Sequence, residues 1–596
     1  EGPVTQFQYT DNPYVNRYEN FQTDDEQRFF GKAQLEYNFA ENLSGQYMVS
    51  TDYRTERRQD RRSPISTGGP ASYFESVVEA QEISTEARLD YNQQVTDAID
   101  VTAFGAGQVR YETFERNAGS TTNGLSAPGV YTIENSVGRP NTDDFFREKM
   151  VYSAYGSVNV GYNNLFYLEG TLRNDWSSAL PDDNNSYIYP SISGNLILTE
   201  LQALEGQDIL SFGKIRASWA RVGSDTGPYR LGTTFPLGTP FQGQALQRVD
   251  RTSNNPNLKP ERTTGIEVGT DLEFFNSRVE LSTTYYRDVT RDQILSTQIS
   301  GASGVNTSLV NAGEVINRGL EASLTVTPVL TDDIQWDITG NFNKNVNKVE
   351  ELAEGIDTYQ IAEFTIFGPT IEAREGSAYG AIVGQALRRD KNGEIVYSSG
   401  GFPLTTSSPE VLGNFQPDWT GGLSTTFSFQ NLTVSALLSG QVGGDVYSLS
   451  NKFGMYSGLL TNTVDNNQRE TGVMPDGVVV PEGEDLANSS NWEGTPYSEV
   501  GGRLPAATYW KNWFFAGGVG GAAGRGFIYD ATHVKLQELS VSYQLPQKWF
   551  EGFALRRASV AVAGSNLGFL YKEAASVDPT ATLGAGNVQG IEAGQI

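Results

Sequence analysis

The sequence predicts an all-β protein, a transmembrane antiparallel β-barrel of a bacterial outer membrane with long extracellular loops. Three observations lead there. Apolar and polar residues alternate strictly over stretches of eight or more residues along the whole chain. Short connections between such stretches take turns with long ones. No segment reaches the roughly 18 uncharged apolar residues that a membrane-crossing helix needs, so any crossing must be made by strands.

The alternation begins with Phe29, Ala33, Leu35, Tyr37 and Phe39. Over 265–275, Ile266, Val268, Leu272 and Phe274 interleave with Glu267, Asp271 and Glu273. After Asn276–Arg278 the phase resumes with Val279, Leu281 and Tyr285 against Glu280, Ser282 and Thr284. Leu320, Ala322, Leu324 and Val326 then alternate with Glu321, Ser323 and Thr325, and Ile334, Trp336, Ile338 and Phe342 with Gln335, Asp337 and Asn341. Ser559–Leu567 is the last clear strand. Alternation fits either a soluble sandwich, with one dry and one wet face, or a barrel, with lipid outside and a polar lumen.

Connection length separates the two. About sixteen strands of roughly ten residues or more, the length of a tilted membrane strand, pair through short turns near 40–42, 94–96, 163–164, 276–278, 328–333 and 430–431. Between the pairs lie 55–77, 114–144, 223–260, 291–312, 349–416 and 448–528. Several such loops are foreign to a compact soluble domain. In an outer-membrane barrel the short turns are periplasmic and the long loops extracellular. Tyr152, Tyr155, Tyr162, Phe166, Tyr167, Tyr285, Tyr286, Tyr543 and Trp549 sit at strand ends, where rings form girdles at the headgroups.

Composition restricts function. A hydrophobic content of 38% carries no membrane signal by itself. The absence of cysteine excludes disulfides and thiolate chemistry. With His533 as the only histidine, a histidine-rich metal site is excluded. A net charge of −28 argues against nucleic acid, which needs a basic surface. The acidic residues read as solvated loops, with bridging of divalent ions at lipopolysaccharide as the sharper reading.

The order of several motifs resembles the SusC-like branch of the TonB-dependent outer-membrane transporters, the Bacteroidetes type. The motifs are RNDWSSALPDDNNSYIYPSISGNLIL (173–198), KIRASWARVGSD (214–225), NPNLKPERTTGIEVGTDLEFFNSRVELSTTYYRDVTRDQIL (255–295) and NAGEVINRGLE (311–321). FNKNVNKV (342–349), LGNFQPDWTGGL (412–423), GQVGGDVY (440–447), IYDATHVKLQELSVSYQLP (528–546) and GSNLGFLYKEAASVDPT (564–580) follow in order. The resemblance implies a plugged barrel of about 22 strands, of which this chain covers about sixteen. Residues 1–596 are expected to be an incomplete barrel domain, with the plug, the first strands and the last strand outside it. On that expectation Phe29–Phe39 runs inward, Ser559–Leu567 runs outward, and 569–596 is an extracellular loop.

The resemblance also implies active import of a bulky nutrient, an oligosaccharide or a peptide. The implied partners are a SusD-like surface lipoprotein as lid, and the TonB–ExbB–ExbD complex acting through the N-terminal part. Alternatives are a lone siderophore or metal-complex receptor, a non-transport barrel scaffold in secretion or surface attachment, and a soluble β-sandwich enzyme.

Candidate sites follow from residue type. ATYWKNWFFAGG (507–518) is the densest aromatic run in a long connection. Its Tyr509, Trp510, Trp513, Phe514 and Phe515 are the candidate substrate or lid contacts, with packing at the barrel rim as the alternative. Arg54, Arg57, Arg58, Arg61 and Arg62, expected in the first long loop, could hold lipopolysaccharide phosphate. Their alternation with Glu56 and Asp60 favours self-pairing. Asp143, Asp144, Asp182 and Asp183 read as solvated loop tips. Asp390, Asn392 and Gly393 lack the further acidic ligands of a calcium loop and read as a hairpin turn. GGVGGAAGRG (517–526) lacks the βαβ context of a dinucleotide fingerprint and reads as an external loop. His533 has no local catalytic partners and reads as structural. Neither a catalytic constellation nor a cofactor or metal site is expected.

Overall fold

The structure, a computed structural model, describes residues 11–204, 209–299, 302, 304–363, 368–516, 524–550, 552, 556–574, 576–582 and 590–592. Sixteen long strands appear among them: β1 Phe21–Ala40, β2 Leu43–Arg62, β3 Ser72–Thr96, β4 Ile99–Ser120, β5 Asn141–Tyr162, β6 Phe166–Ser177, β7 Ser186–Ile197, β8 Leu210–Ser224, β9 Glu261–Phe274, β10 Val279–Gln298, β11 Thr307–Leu330, β12 Ile334–Glu351, β13 Trp419–Phe429, β14 Leu432–Val442, β15 His533–Gln544 and β16 Ser559–Lys572. The chain divides into two compact units. The first is 1–194 with 220–263 and 292–311, and the second is 195–219, 264–291 and 312–596.

In the first unit β1 to β6 form a continuous antiparallel meander. The predicted short turns are in place to within a few residues; the one expected at 94–96 falls at 97–98, because β3 runs through Thr96. In the three-residue turn 163–165 both asparagines take positive φ, 52° and 54°, a left-handed conformation that asparagine tolerates better than most residues. One face of this sheet carries large apolar side chains turned outward that no described residue covers: Leu35 is 74% exposed, Tyr37 66% and Phe39 58%. Cross-strand neighbours continue the row, Tyr37 opposite Gly45, then Leu89, Gly105, Gly156 and Leu172. Water does not tolerate so broad an apolar patch on a folded protein, whereas hydrocarbon does.

The second unit repeats the design. Trp336, Phe427, Val434, Val541 and Val562 stand side by side across β12 to β16, and Val562 is 73% exposed. The apolar rows lie next to the short turns, as a membrane band on the periplasmic side does.

Three long connections are shorter than expected: 63–71, 121–140 and 299–306 take the place of 55–77, 114–144 and 291–312. The strands continue beyond the apolar band, where both faces are wet and period-two hydropathy vanishes. Ion pairs stand across these extensions, such as Arg28 with Asp52 at 2.5 Å and Arg57 with Glu75 at 3.0 Å. Each exposed pair adds little; the backbone ladder carries the extension. Arg54, Arg57, Arg58, Arg61 and Arg62 therefore lie in β2, and Asp143 and Asp144 in β5, not in loops. Asp182 and Asp183 do lie in a turn.

The connections 352–418 and 443–532 are folded. Segments 358–363, 370–374, 381–384 and 410–414 make a four-stranded sheet. Helices α1 (Leu449–Tyr456) and α2 (Ala506–Phe514) pack beside it around Ile371, Ile382, Tyr447, Met455, Ala516 and Phe527. After β16, which includes 569–572, Lys535 Nζ donates to Thr580 Oγ1 at 3.2 Å, and Ile591–Glu592 adds to 447–448 as a parallel bridge.

Candidate functional site

Since side chains alternate across a strand, the residues between the apolar rows share the opposite face, which is polar in both units. In the first unit Arg173 Nε donates to Asp175 at 2.8 Å and its Nη2 to Ser153 Oγ at 2.8 Å and Gln108 Oε1 at 3.3 Å. Gln108 passes the chain on to Ser84 at 3.0 Å. In the second unit Asp271 gathers Lys214 at 3.2 Å, Arg216 at 3.4 Å and Ser282 Oγ at 2.7 Å. There Arg216, Ser282, Glu321, Asn343, Gln441 and Thr580 line a cavity of about 830 Å³. A wall of paired charges and amides is wettable and binds polar solutes through hydrogen bonds. Arg173, Arg216 and Asp271 escaped the sequence reading as site residues. Their signal was a charge in polar phase inside an apolar-alternating strand.

The girdle assignment divides by phase. Tyr152, Tyr162, Phe166, Tyr285 and Tyr543 are exposed in the outward phase, and Trp549, in the turn Gln547–Trp549 after β15, is exposed without belonging to a strand. Tyr155, Tyr167 and Tyr286 are not: Tyr155 donates to Glu86, Tyr167 to Asn164 at 3.3 Å, and Tyr286 to Asn345 at 3.2 Å. Adjacent Tyr285 and Tyr286 must face opposite ways on a pleated strand.

Of the aromatic run, Tyr509 and Phe514 are buried on α2, and Trp510, Trp513 and Phe515 are half-buried. Tyr509 packs edge-on to Trp510 with centroids 4.7 Å apart, and with Tyr397, Val479 and Tyr497. The helix turns Ala507, Thr508 and Lys511 outward. Burial pushes the Tyr397 and Tyr447 hydroxyls upward and the Lys452 ammonium, beneath the Phe514 ring at 5.2 Å, down to about 8.

Asp390 closes a hairpin turn at Asn392–Gly393. Gly393 has φ of +85°, and the Arg389–Ile395 bridge flanks the turn. Burial raises the Asp390 carboxyl, but amide donors from Gly494, Glu394 and Asn392 outweigh it and hold the group below its ordinary range. His533 opens β15, buried, with Nδ1 2.8 Å from the Ala531 carbonyl and its ring edge-on to Phe569. The β2 arginines are mostly engaged: Arg58 binds Glu56 at 2.5 Å, Arg61 lies over Phe21 and Tyr131, and Arg62 donates to the Gly68 carbonyl. In the glycine-rich run, 517–523 lies outside the described residues.

The family described as "TonB dependent receptor-like, beta-barrel" matches residues 2–472. The chain is 26% identical to the TonB-dependent receptor P26 of Formosa agariphila over 95% of its own length and 57% of that protein. It is 27% identical to the TonB-dependent receptor SusC of Bacteroides thetaiotaomicron over 53% of its length and 34% of SusC. Among solved structures, the RagAB peptide importer in the "open-open" state superposes with a TM-score of 0.71 at 17% identity, over 94% of this chain and 59% of that one. This likeness shows a shared fold. The chain spans a little over half the length of the P26 relative.

Proposed function

The chain belongs to the family of TonB-dependent receptor-like β-barrels, proteins of the bacterial outer membrane, and on that premise we propose that it is the greater part of the barrel of an active importer. The observation that carries this is the polar phase of the strands in each unit, set with ion pairs and, in the second unit, an 830 Å³ cavity, together with long connections that fold into a body of their own. Such a wall offers a wet path, and no bond has to be made or broken. The cargo is a bulky nutrient, an oligosaccharide or a peptide. A SusD-like lipoprotein serves as lid, and the TonB–ExbB–ExbD complex supplies energy through a plug. SusC and the RagAB importer, to which the chain is similar, support this reading. On it, the plug, the leading strands and the closing strand come from sequence flanking these residues. The α2 aromatics Tyr509, Trp510, Trp513, Phe514 and Phe515 hold the extracellular body in shape, so substrate or lid contact falls mainly to its outward residues. Lipopolysaccharide surrounds the barrel at the outer leaflet.

The test is uptake by cells carrying the full-length gene, with and without TonB, and co-purification of the receptor with a lipoprotein. Accumulation of an oligosaccharide or peptide that stops when TonB is deleted is the expected result. Growth and uptake indifferent to both the receptor and TonB overturn the reading.

A further inference from the structure

A second cavity, of about 630 Å³, lies on the polar face of the first unit, between β1–β5 and the segment 225–228. Its floor is two neighbouring cross-strand rows. In one, Asp52, Glu82 and Glu112 stand directly opposite one another on β2, β3 and β4. In the next, Arg54, Ala80, Phe114 and Arg147 do so across β2 to β5. Like charges placed opposite one another on a sheet repel; the row ends on a cation, Lys149, opposite Glu112, and arginines stand beside it. Asp52 has Arg28 at 2.5 Å and Glu112 has Arg110 at 2.9 Å. The carboxylate of Glu82, between them, is exposed and has no hydrogen bond or ion pair among the described residues.

The basic row carries an exposed arginine. The Arg147 guanidinium lies over Phe114, 4.7 Å from the ring centre, and it too has no hydrogen bond or ion pair among the described residues. Above both rows, Thr226 is 6% exposed, and its buried Oγ1 has no hydrogen-bond partner among the described residues. Its neighbour Asp225 is held by Lys149 at 2.7 Å, which fixes this roof over the floor. A buried hydroxyl without a partner costs stability unless something else satisfies it.

We propose that this cavity is a binding subsite for a zwitterionic solute, a short peptide, with its amine on Glu82, its carboxylate on Arg147 and a polar group on the Thr226 hydroxyl. Glu82 on β3 and Arg147 on β5 stand two strands apart, about 10 Å across the sheet, and one row apart, about 7 Å along it. Their separation of roughly 12 Å matches the two ends of an extended tetrapeptide. Both side chains are exposed and solvated; a peptide's charged ends add a charge-assisted hydrogen bond to each, which an uncharged glycan does not. The proposal rests on the importer reading and narrows its cargo.

The experiment is binding of tetra-alanine to the detergent-solubilised full-length receptor by calorimetry. N-acetylated tetra-alanine, C-amidated tetra-alanine and maltotetraose serve as comparison probes. Free tetra-alanine should bind best, and capping either end should weaken it at least roughly tenfold, the equivalent of about 1.4 kcal/mol. Glu82→Gln should abolish the effect of N-acetylation, and Arg147→Gln the effect of C-amidation, while each variant keeps its heat-modifiable barrel mobility. Equal binding of capped and free peptide, a preference for maltotetraose, no binding of tetra-alanine, or variants that bind like the parent each overturn it. Binding does not involve TonB, so the two readings fail separately. TonB-dependent uptake with no capping effect removes only the subsite; a capping effect without uptake removes the importer.

Discussion

At the scale of single residues, the extracellular body depends on buried polar groups whose partners are supplied by its own backbone. Asp390 accepts three amides, at 2.9, 2.9 and 3.1 Å. Asp390→Ala would leave them without an acceptor and should cost about 2–4 kcal/mol, read as faster proteolysis in 388–398 and 477–497. The carboxyl is held low in the folded state, so its contribution is complete above the unfolded value near 3.9 and is lost as pH falls below it. Protease resistance of the body should therefore persist at pH 5 and decline at roughly pH 3, less steeply in Asp390→Asn. Lys452 works in the opposite direction. Its folded pKa, about 8, lies below the unfolded 10.5, so its burial penalty is fully present below pH 8 and is relieved as pH rises towards about 10.5. Resistance should increase across that window by the equivalent of about 3 kcal/mol, a rise that Lys452→Met should flatten.

At the scale of the strand, phase decides what a substitution does. Leu324 belongs to the apolar row, opposite Gly340, and Ser323 to the polar one, opposite Asn341. Leu324→Arg should lower the amount of folded barrel in the outer membrane, at a cost of roughly 2–4 kcal/mol near mid-depth. Ser323→Arg should insert normally. Electrophoretic heat-modifiability separates the two. Phase was also what made these strands readable from sequence. Leu320 to Val326 and Ile334 to Phe342 announce themselves because lipid and water lie on opposite sides. Where both sides are wet, as at 55–62 and 114–120, the same backbone continues with Arg and Glu on either face, and the pattern gives no sign of it. Tyr155 and Tyr286 show the same limit from the other side: an aromatic residue advertises a membrane interface only in the outward phase.

At the scale of the molecule, the family was legible because ordered motifs from 173 to 580 outlast any one of them. The folded state of 352–418 and 443–532 was not, since its core is assembled from single apolar residues far apart in the chain, such as Ile371, Tyr447 and Phe527. The cavity over β1–β5 was hidden for a similar reason: Glu82, Arg147 and Thr226 line it together only through strand register and a long return of the chain. All of these readings depend on the strands forming a membrane wall with two unlike faces. The absence of cysteine from the chain makes that directly measurable. Single cysteines at positions 320 to 326, in the full-length receptor in native membranes, can be challenged with a membrane-impermeant maleimide and, once carrying a fluorophore, with brominated lipid. Glu321→Cys, Ser323→Cys and Thr325→Cys should react with the maleimide and escape lipid quenching; Leu320→Cys, Ala322→Cys, Leu324→Cys and Val326→Cys should do the reverse. Uniform labelling along the stretch, or quenching in the opposite phase, would contradict the barrel.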